Sequence, residues 1–395
     1  MSYVLAKKNK LYLDEPLFQE DSKKKLHCLS ASYTELARIY EEDAKRQFHF
    51  ENRKDYLLKR KLEEEKRIFS RQLQEISGAV CDVADTMLQI SIPANHKRKL
   101  LIQYLKKQGI LVKEMLYVNT ADAQRRLRIV ARGMGKKHYT TKEIADLLSV
   151  FFDRRIAPCM ESEQLLQRSF GTFLFQDEPK FSIMHAIARK TKDGEEISGD
   201  NYSIDEYTDG NMTYMISDGC GSGRKAYDDS QSVLEFMERF LEAGFTEEKA
   251  FHMVNAALAA RTEVTALTTL DLCTVHLHTG EAEFLKAGAA SSYCKRGNKV
   301  QEIACDALPL GSFSGLSPMT QSIQLMDQDM IVMLSDGVTD CFDCRNGYNK
   351  IKDVIGSFST KNPKELCEYL LQYAKNCQGG QALDDMTVMA VGIWN

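Results

Sequence analysis

Three aspartate-centred segments, far apart in the chain, each adjoin an apolar, strand-like run. They are Met215-Ile-Ser-Asp-Gly-Cys-Gly-Ser-Gly223, Ile331-Val-Met-Leu-Ser-Asp-Gly337 and Leu383-Asp-Asp-Met-Thr-Val-Met-Ala-Val391. Asp218, Asp336 and the pair Asp384/Asp385 are thus delivered by backbone stiff enough to hold a carboxylate still. Several carboxylates converging from separate strands form a hard oxygen cage, which suits Mg2+ or Mn2+. A caged pair of such ions activates water against a phosphate ester. In each Asp-Gly the glycine is expected to let the backbone turn and its carbonyl approach a cation. One Asp-Gly alone is as easily an ordinary turn. Three aspartate segments, two of them Asp-Gly and each beside an apolar strand, point to a hydrolytic metal site.

The rest of the chain fits a cytoplasmic, globular protein. No stretch approaches the roughly 18 consecutive apolar residues of a membrane helix, and Met1 to Lys10 has no apolar signal core. Eleven irregularly spaced cysteines argue for free thiols in a reducing compartment. Charge is uneven: residues 1–180 sum to about +9 and residues 181–395 to about −13, within a net −4. An acidic half suits a cation site. The basic half lacks the interleaved aromatics of a nucleic-acid surface, so no nucleic-acid partner is expected.

Proline is absent between Pro16 and Pro93, and Gly78 is the only glycine there. Apolar residues step by four and three at Leu29, Tyr33, Leu36, Tyr40, Ala44 and Phe48, and again at Phe69, Leu73, Ile76, Val80, Val83 and Met87. This heptad-like pattern predicts one or two long helices from Ser22 to about Ile90. So narrow a seam needs a partner helix. A homodimer, the favoured reading, or an intrachain hairpin would supply it.

Residues 94–178 read as a small α+β module. It has helices at Lys97–Gln108 and Thr140–Phe152, the latter capped by Thr140 or Thr141 with Glu143 in its first turn. No catalytic constellation falls there, so a regulatory or structural role is expected. From residue 179 to 395 the strands multiply. Helices are expected at Asp229–Ala243, Thr246–Arg261 and Pro363–Asn376, and hairpins at Thr279-Gly280 and Gly297-Asn298. Together these predict an α+β chain: a long helical segment (1–93), a small module (94–178), and a β-sandwich flanked by helices (179–395).

Seven pieces, in order, resemble the phosphatase domain of the stage II sporulation protein E family, within the type 2C metal-dependent protein phosphatases. They are Ser198-Gly-Asp-Asn-Tyr-Ser203, Ser217-Asp-Gly-Cys-Gly-Ser-Gly223, Thr269-Leu-Asp-Leu272, Phe284-Leu-Lys-Ala-Gly288, Leu308-Pro-Leu-Gly311, Ser335-Asp-Gly-Val-Thr-Asp340 and Asp384-Asp-Met-Thr-Val388. A weaker resemblance covers Ala94 to Phe175. The family's membrane segment is missing, so the chain is expected to be a soluble relative or a truncated form. Cys220 stands where the family usually has methionine. The resemblance implies two Mn2+ or Mg2+ ions, with Asp218 bridging both and Gly219 offering its carbonyl to one. Asp336 and Asp384 would ligate the other, and Asp200 would act through water. Which of Asp384 and Asp385 points inward stays open. The resemblance also implies a phosphoserine or phosphothreonine substrate on an anti-sigma-factor antagonist. Control would come through movement of the helices between Asp229 and Arg261.

Two rival readings are a non-catalytic docking module that kept the fold, and a metal-dependent nuclease. The complete carboxylate set argues against the first and the missing basic-aromatic surface against the second. Cys341-Phe-Asp-Cys344 lacks the second pair a zinc site needs. His276 and His278 share a strand face and read as surface. Gly219–Gly223 lacks the Lys-Ser/Thr ending of a nucleotide-binding loop.

Overall fold

The computed structural model describes residues 26–39, 41, 53–86, 89–91, 95–119, 125–135, 138–159, 162–208, 210–259, 267–313, 315–342 and 350–395. The chain divides into two compact units, Met1–Glu178 and Pro179–Asn395.

In the first unit, helices α1 (26–39) and α2 (Arg53–Thr86) run antiparallel. Ser30 Oγ donates to the Ser77 carbonyl at 2.8 Å. Seven residues on, Ser70 Oγ donates to the Ala37 carbonyl at 2.6 Å. The expected apolar seam therefore finds its partner within the chain, but only part of it faces that partner: Leu73 is buried as expected, while the contact on α1 lies one position along. Leu29 and Leu36 are each 45% exposed, whereas Ser30, Ala37, Ser70, Leu73, Ser77 and Ala84 are buried. Small side chains let the two backbones approach closely, and the serine hydroxyls use that proximity to bond carbonyls across the gap. Leucines at the same positions would hold the helices apart. Tyr40, Ala44, Phe48 and Met87 lie outside the described residues.

The same unit contains β1 (Gln89–Ser91), α3 (Asn95–Lys107), β2 (Ile110–Asn119), β3 (Arg125–Gly133), β4 (Tyr139–Thr140), α4 (Thr141–Phe152), β5 (Ile156–Pro158), β6 (Leu165–Leu166) and β7 (Gly171–Asp177). Five strands pair in the order β1-β2-β3-β7-β5. Leu101 and Leu105 of α3 and Ile144 and Leu148 of α4 share one core with Ile129, Phe173 and Phe175 of the sheet. Thr140 caps α4 through a complete capping box with Glu143, which satisfies two otherwise orphaned N–H groups.

The second unit comprises β8 (Ser182–Lys190), β9 (Asp200–Thr208), β10 (Asn211–Asp218), α5 (Arg224–Glu242), α6 (Glu247–Ala259), β11 (Leu270–His276), β12 (Glu281–Ala287), β13 (Ser292–Arg296), β14 (Lys299–Ile303), β15 (Met319–Gln324), β16 (Met330–Leu334), α7 (Asp336–Thr339), α8 (Lys350–Ser357), α9 (Pro363–Cys377) and β17 (Met386–Trp394). Two antiparallel sheets, β15-β12-β11-β10-β9 and β14-β13-β16-β17-β8, form a sandwich. Tyr214, Ile216, Ile331, Met333, Met389 and Val391 fill the space between them. The intervening residues point outward and are buried too. Met215, Leu270 and Leu272 pack beneath α5 and α6, and Val332, Leu334 and Val388 beneath α8 and α9. Burial of both faces explains why these strands are continuously apolar rather than alternating.

Candidate metal centre

The carboxylates meet at one end of this sandwich because four strand ends lie there. Asp218 closes β10 and stands opposite Asp200, the first residue of β9, in antiparallel register. Asp336 lies one residue beyond β16, after Ser335, and opens α7. Asp384 and Asp385 immediately precede β17, the neighbour of β16. One sheet thus contributes Asp200 and Asp218, and the other contributes Asp336 and Asp384.

Hydrogen bonds fix this arrangement. Thr387 Oγ1 donates to Asp200 Oδ2 at 2.7 Å, which links the two sheets. Ser335 and Thr387 bond reciprocally, with Ser335 N–H to the Thr387 carbonyl at 3.0 Å and Thr387 N–H to Ser335 Oγ at 2.9 Å. Thr269 Oγ1 accepts from the Asp218 N–H at 2.9 Å. Thr269, Ser335 and Thr387 went unnoticed as site residues in the sequence, although each lies inside one of the seven motif pieces.

Hydrogen bonding also separates the two adjacent aspartates. Asp385 is buried, and its oxygens accept from the backbone N–H groups of Lys192 at 3.0 Å and Gly199 at 2.7 Å. It fastens the loop between β8 and β9 and has little capacity left for a cation. Asp384 is exposed, and one of its oxygens accepts only the neighbouring Asp385 N–H, at 2.9 Å.

The glycines serve a purpose other than the expected turn. Neither Gly219 nor Gly337 has positive φ. A methyl group on Gly337 would sit 2.1 Å from the Asp385 carbonyl oxygen, and one on Gly219 would sit 2.1 Å from the Ala226 carbonyl oxygen. Glycine is required because two backbones touch there. One contact seats Asp336 against the Asp384 loop, and the other seats Asp218 against the first turn of α5.

Electrostatics identify what the cluster needs. Burial first, and then the charges of Asp200, Asp336, Asp384 and Asp385, push the Asp218 carboxyl up to about 9. Burial raises Asp200 to about 6 against the hydrogen bonds of Thr387 and Ser335, with Asp385 and Asp336 adding to the rise. Burial and then Asp384 raise Asp336, partly offset by hydrogen bonds that include one with Asp218. Asp200 Oδ1 is buried without a partner. Like charges crowded in this way cannot all ionise unless a cation joins them. Hard oxygen donors, mutual repulsion and an orphaned carboxylate oxygen all fit a divalent metal ion. Among the described residues, however, no three His, Cys, Asp or Glu side chains are gathered tightly enough to hold one as they stand.

A model of the stage II sporulation protein E (SpoIIE) family matches residues 208–394. The stage II sporulation protein E of Bacillus subtilis is 26% identical over 339 residues, which cover 85% of this chain and 41% of that protein. The Priestia megaterium protein of the same name is 26% identical over 333 residues, covering 84% and 57%. The chain therefore spans roughly half the length of these relatives. A solved structure of the PP2C phosphatase domain of B. subtilis SpoIIE, with a fragment of its regulatory domain, superposes with a TM-score of 0.62. It is 25% identical and covers 87% of this chain and all of that one. The C-terminal unit is similar to the phosphatase domain of the stage II sporulation protein E family.

The SpoIIE-like sandwich leaves the weaker sequence signals outside the site. His276 Nδ1 lies 3.0 Å from Asn211 Oδ1 and its Nε2 lies 3.7 Å from Glu283, so it is engaged on the strand surface. Cys344 falls outside the described residues. The ten described cysteines are all free thiols. Among the described residues, no helix is long and apolar enough to cross a membrane.

Proposed function

We propose that the chain is a metal-dependent protein phosphatase that hydrolyses phosphoserine or phosphothreonine on a partner of the anti-sigma-factor-antagonist type, in sporulation or stress sigma-factor control. The observation that carries this reading is the convergence of Asp200, Asp218, Asp336 and Asp384 at one end of two sheets, where burial first and then the neighbouring carboxylates raise the Asp218 carboxyl. Two Mn2+ or Mg2+ ions, when bound, would supply an activated water and neutralise charge on the phosphoryl oxygens.

The chain's own residues have separable tasks in this scheme. Asp218 and the Gly219 carbonyl would hold a cation. Asp336 and Asp384 supply the facing oxygens. Asp200, pinned through one oxygen by Thr387, keeps the other unpaired and would contribute it to the cation site. Asp385 fastens the loop that carries Gly199 and Asp200. Assembly of the site is the natural point of control. α5 is the element to move, since its first turn touches Gly219. A homodimer through the N-terminal helices is supported by Leu29, Leu36 and Ile39, which stay exposed on α1 after α1 and α2 have paired.

The test is turnover of p-nitrophenyl phosphate and of a phosphoserine peptide with and without Mn2+, in wild type and Asp336→Ala. Mn2+-dependent turnover that is lost in the variant supports the reading. Metal-independent turnover, or none under any metal, overturns it.

A further inference from the structure

Behind the carboxylates lies a second charged group that this scheme does not use. Asp271, Lys286 and Ser292 are 1%, 0% and 0% exposed. Lys286 Nζ lies 2.5 Å from Asp271 Oδ2 and donates to Ser292 Oγ at 2.8 Å. Ser292 Oγ in turn donates to the same Asp271 oxygen. Register explains the meeting. Asp271 on β11 stands opposite Lys286 on β12 and, on its other side, opposite Ile216 on β10, two residues before Asp218. Ser292 comes from the opposing sheet.

A buried ion pair has to offset a large desolvation cost and usually contributes little net stability. Its presence beside the metal centre therefore calls for a reason other than folding. Asp271 Oδ1 supplies one. It is buried with no hydrogen-bond partner, although its twin oxygen has two. Asp271 also lines a cavity of about 20 Å3 together with Asp218, Asp336, Thr269, Ser335 and Gly288. That volume admits one water molecule. Lone polar atoms in such places are normally satisfied by ordered water.

We propose that Asp271 is a positioning residue for the metal centre: its free oxygen holds a water in this cavity, and that water orients Asp218 and Asp336 toward the cation. Lys286 and Ser292 lock the other oxygen, so Asp271 cannot turn away or enter the site itself. The arrangement corresponds to the outer shell of a metal site, where loss of one member costs about 10- to 100-fold in affinity.

This inference rests on the metal-centre reading, and its test separates the two. Mn2+ is titrated into the full chain by calorimetry and followed by thermal shift. The proteins are wild type, Asp336→Asn, Asp271→Asn and the double variant Asp271→Leu/Lys286→Met. The double variant replaces the ion pair with apolar groups of similar volume, a change proteins usually tolerate, and it decides the matter if Asp271→Asn does not fold. The expected result is a Mn2+ dissociation constant raised about 10- to 100-fold in either Asp271 variant, with turnover recovered at saturating Mn2+. A pair that is only a structural strut would change the melting temperature of the metal-free protein and leave the dissociation constant within about twofold of wild type. That outcome overturns the proposal. Absence of Mn2+ binding in wild type, or unchanged binding in Asp336→Asn, sinks the metal-centre reading and this inference with it.

Discussion

Thr387, on one sheet of the sandwich, donates a 2.7 Å hydrogen bond to Asp200, on the other. It is a direct side-chain link between the two halves of the carboxylate site, and Asp200 has no partner for its second oxygen. Thr387→Val keeps the shape and removes the donor. The expected cost is about 1–3 kcal/mol of stability, that of stranding a buried acceptor, measured by denaturant unfolding without metal. Mn2+ should recover part of that loss by giving Asp200 a counter-charge.

The raised carboxyls set a pH dependence. Asp218 at about 9 and Asp200 at about 6 lie above their ordinary value of 3.8, so the metal-free folded state holds more protons than the unfolded chain. Stability of that state therefore falls as pH rises from about 4 toward 9. In the proposed metal site, protons and Mn2+ would compete for the same oxygens. The thermal shift produced by a fixed Mn2+ concentration should be larger at pH 8.5 than at pH 6. A pH-independent shift would mean that the ion binds elsewhere.

Asp384 and Asp385 should part company under mutation. Asp384→Asn removes a repelling, exposed charge. The protein should fold at least as well as wild type yet lose Mn2+-dependent turnover by 100-fold or more, about 2.7 kcal/mol of transition-state stabilisation. Asp385→Ala strands the Lys192 and Gly199 N–H groups and should lower unfolding stability by about 1.5–3 kcal/mol or more. Equal effects of the two substitutions on stability would refute the division of roles.

Gly337→Ala and Gly219→Ala drive a methyl into a carbonyl oxygen 2.1 Å away. Both should destabilise by about 1–3 kcal/mol or more through overpacking and abolish metal-dependent turnover. Gly78→Ala, where a methyl meets nothing within 4 Å, is the control and should be neutral or slightly stabilising in its helix.

At the helical hairpin, Ala37→Leu should separate α1 from α2, because Ala37 lies fully buried against the Ser70 hydroxyl. The expected reading is a fall of about 1–3 kcal/mol in the stability of the first unit. Light scattering of the whole chain against residues 180–395 tests the proposed dimer, and a monomer in both would refute it.

The site was legible in the sequence where chemistry and strand pattern coincide. Asp218, Asp336 and Asp384 each sit where an apolar run meets a polar turn, and the structure brings them to one end of the sandwich. What escaped notice depends on neighbours far away in the chain. Ser335, Thr269 and Thr387 look like ordinary strand-end hydroxyls until their partners arrive. Lys286 in Phe-Leu-Lys-Ala-Gly is a charge in an apolar strand, a clue that went unread because only the fold pairs it with Asp271. The start of α5 at Arg224, earlier than the expected Asp229, was hidden because Gly223 and the polar first turn carry no apolar periodicity. On α1 the buried contact falls one position past Leu29 and Leu36, at Ser30 and Ala37, because leucines outrank small residues in any hydrophobic pattern, whereas close approach of two backbones favours the smaller residue; Leu73 on α2 is buried as its spacing predicts.

The contact between Gly219 and Ala226 leaves no slack between a helix on the protein's outside and the acid group at its working end. Whatever grips that helix also holds the carboxylate.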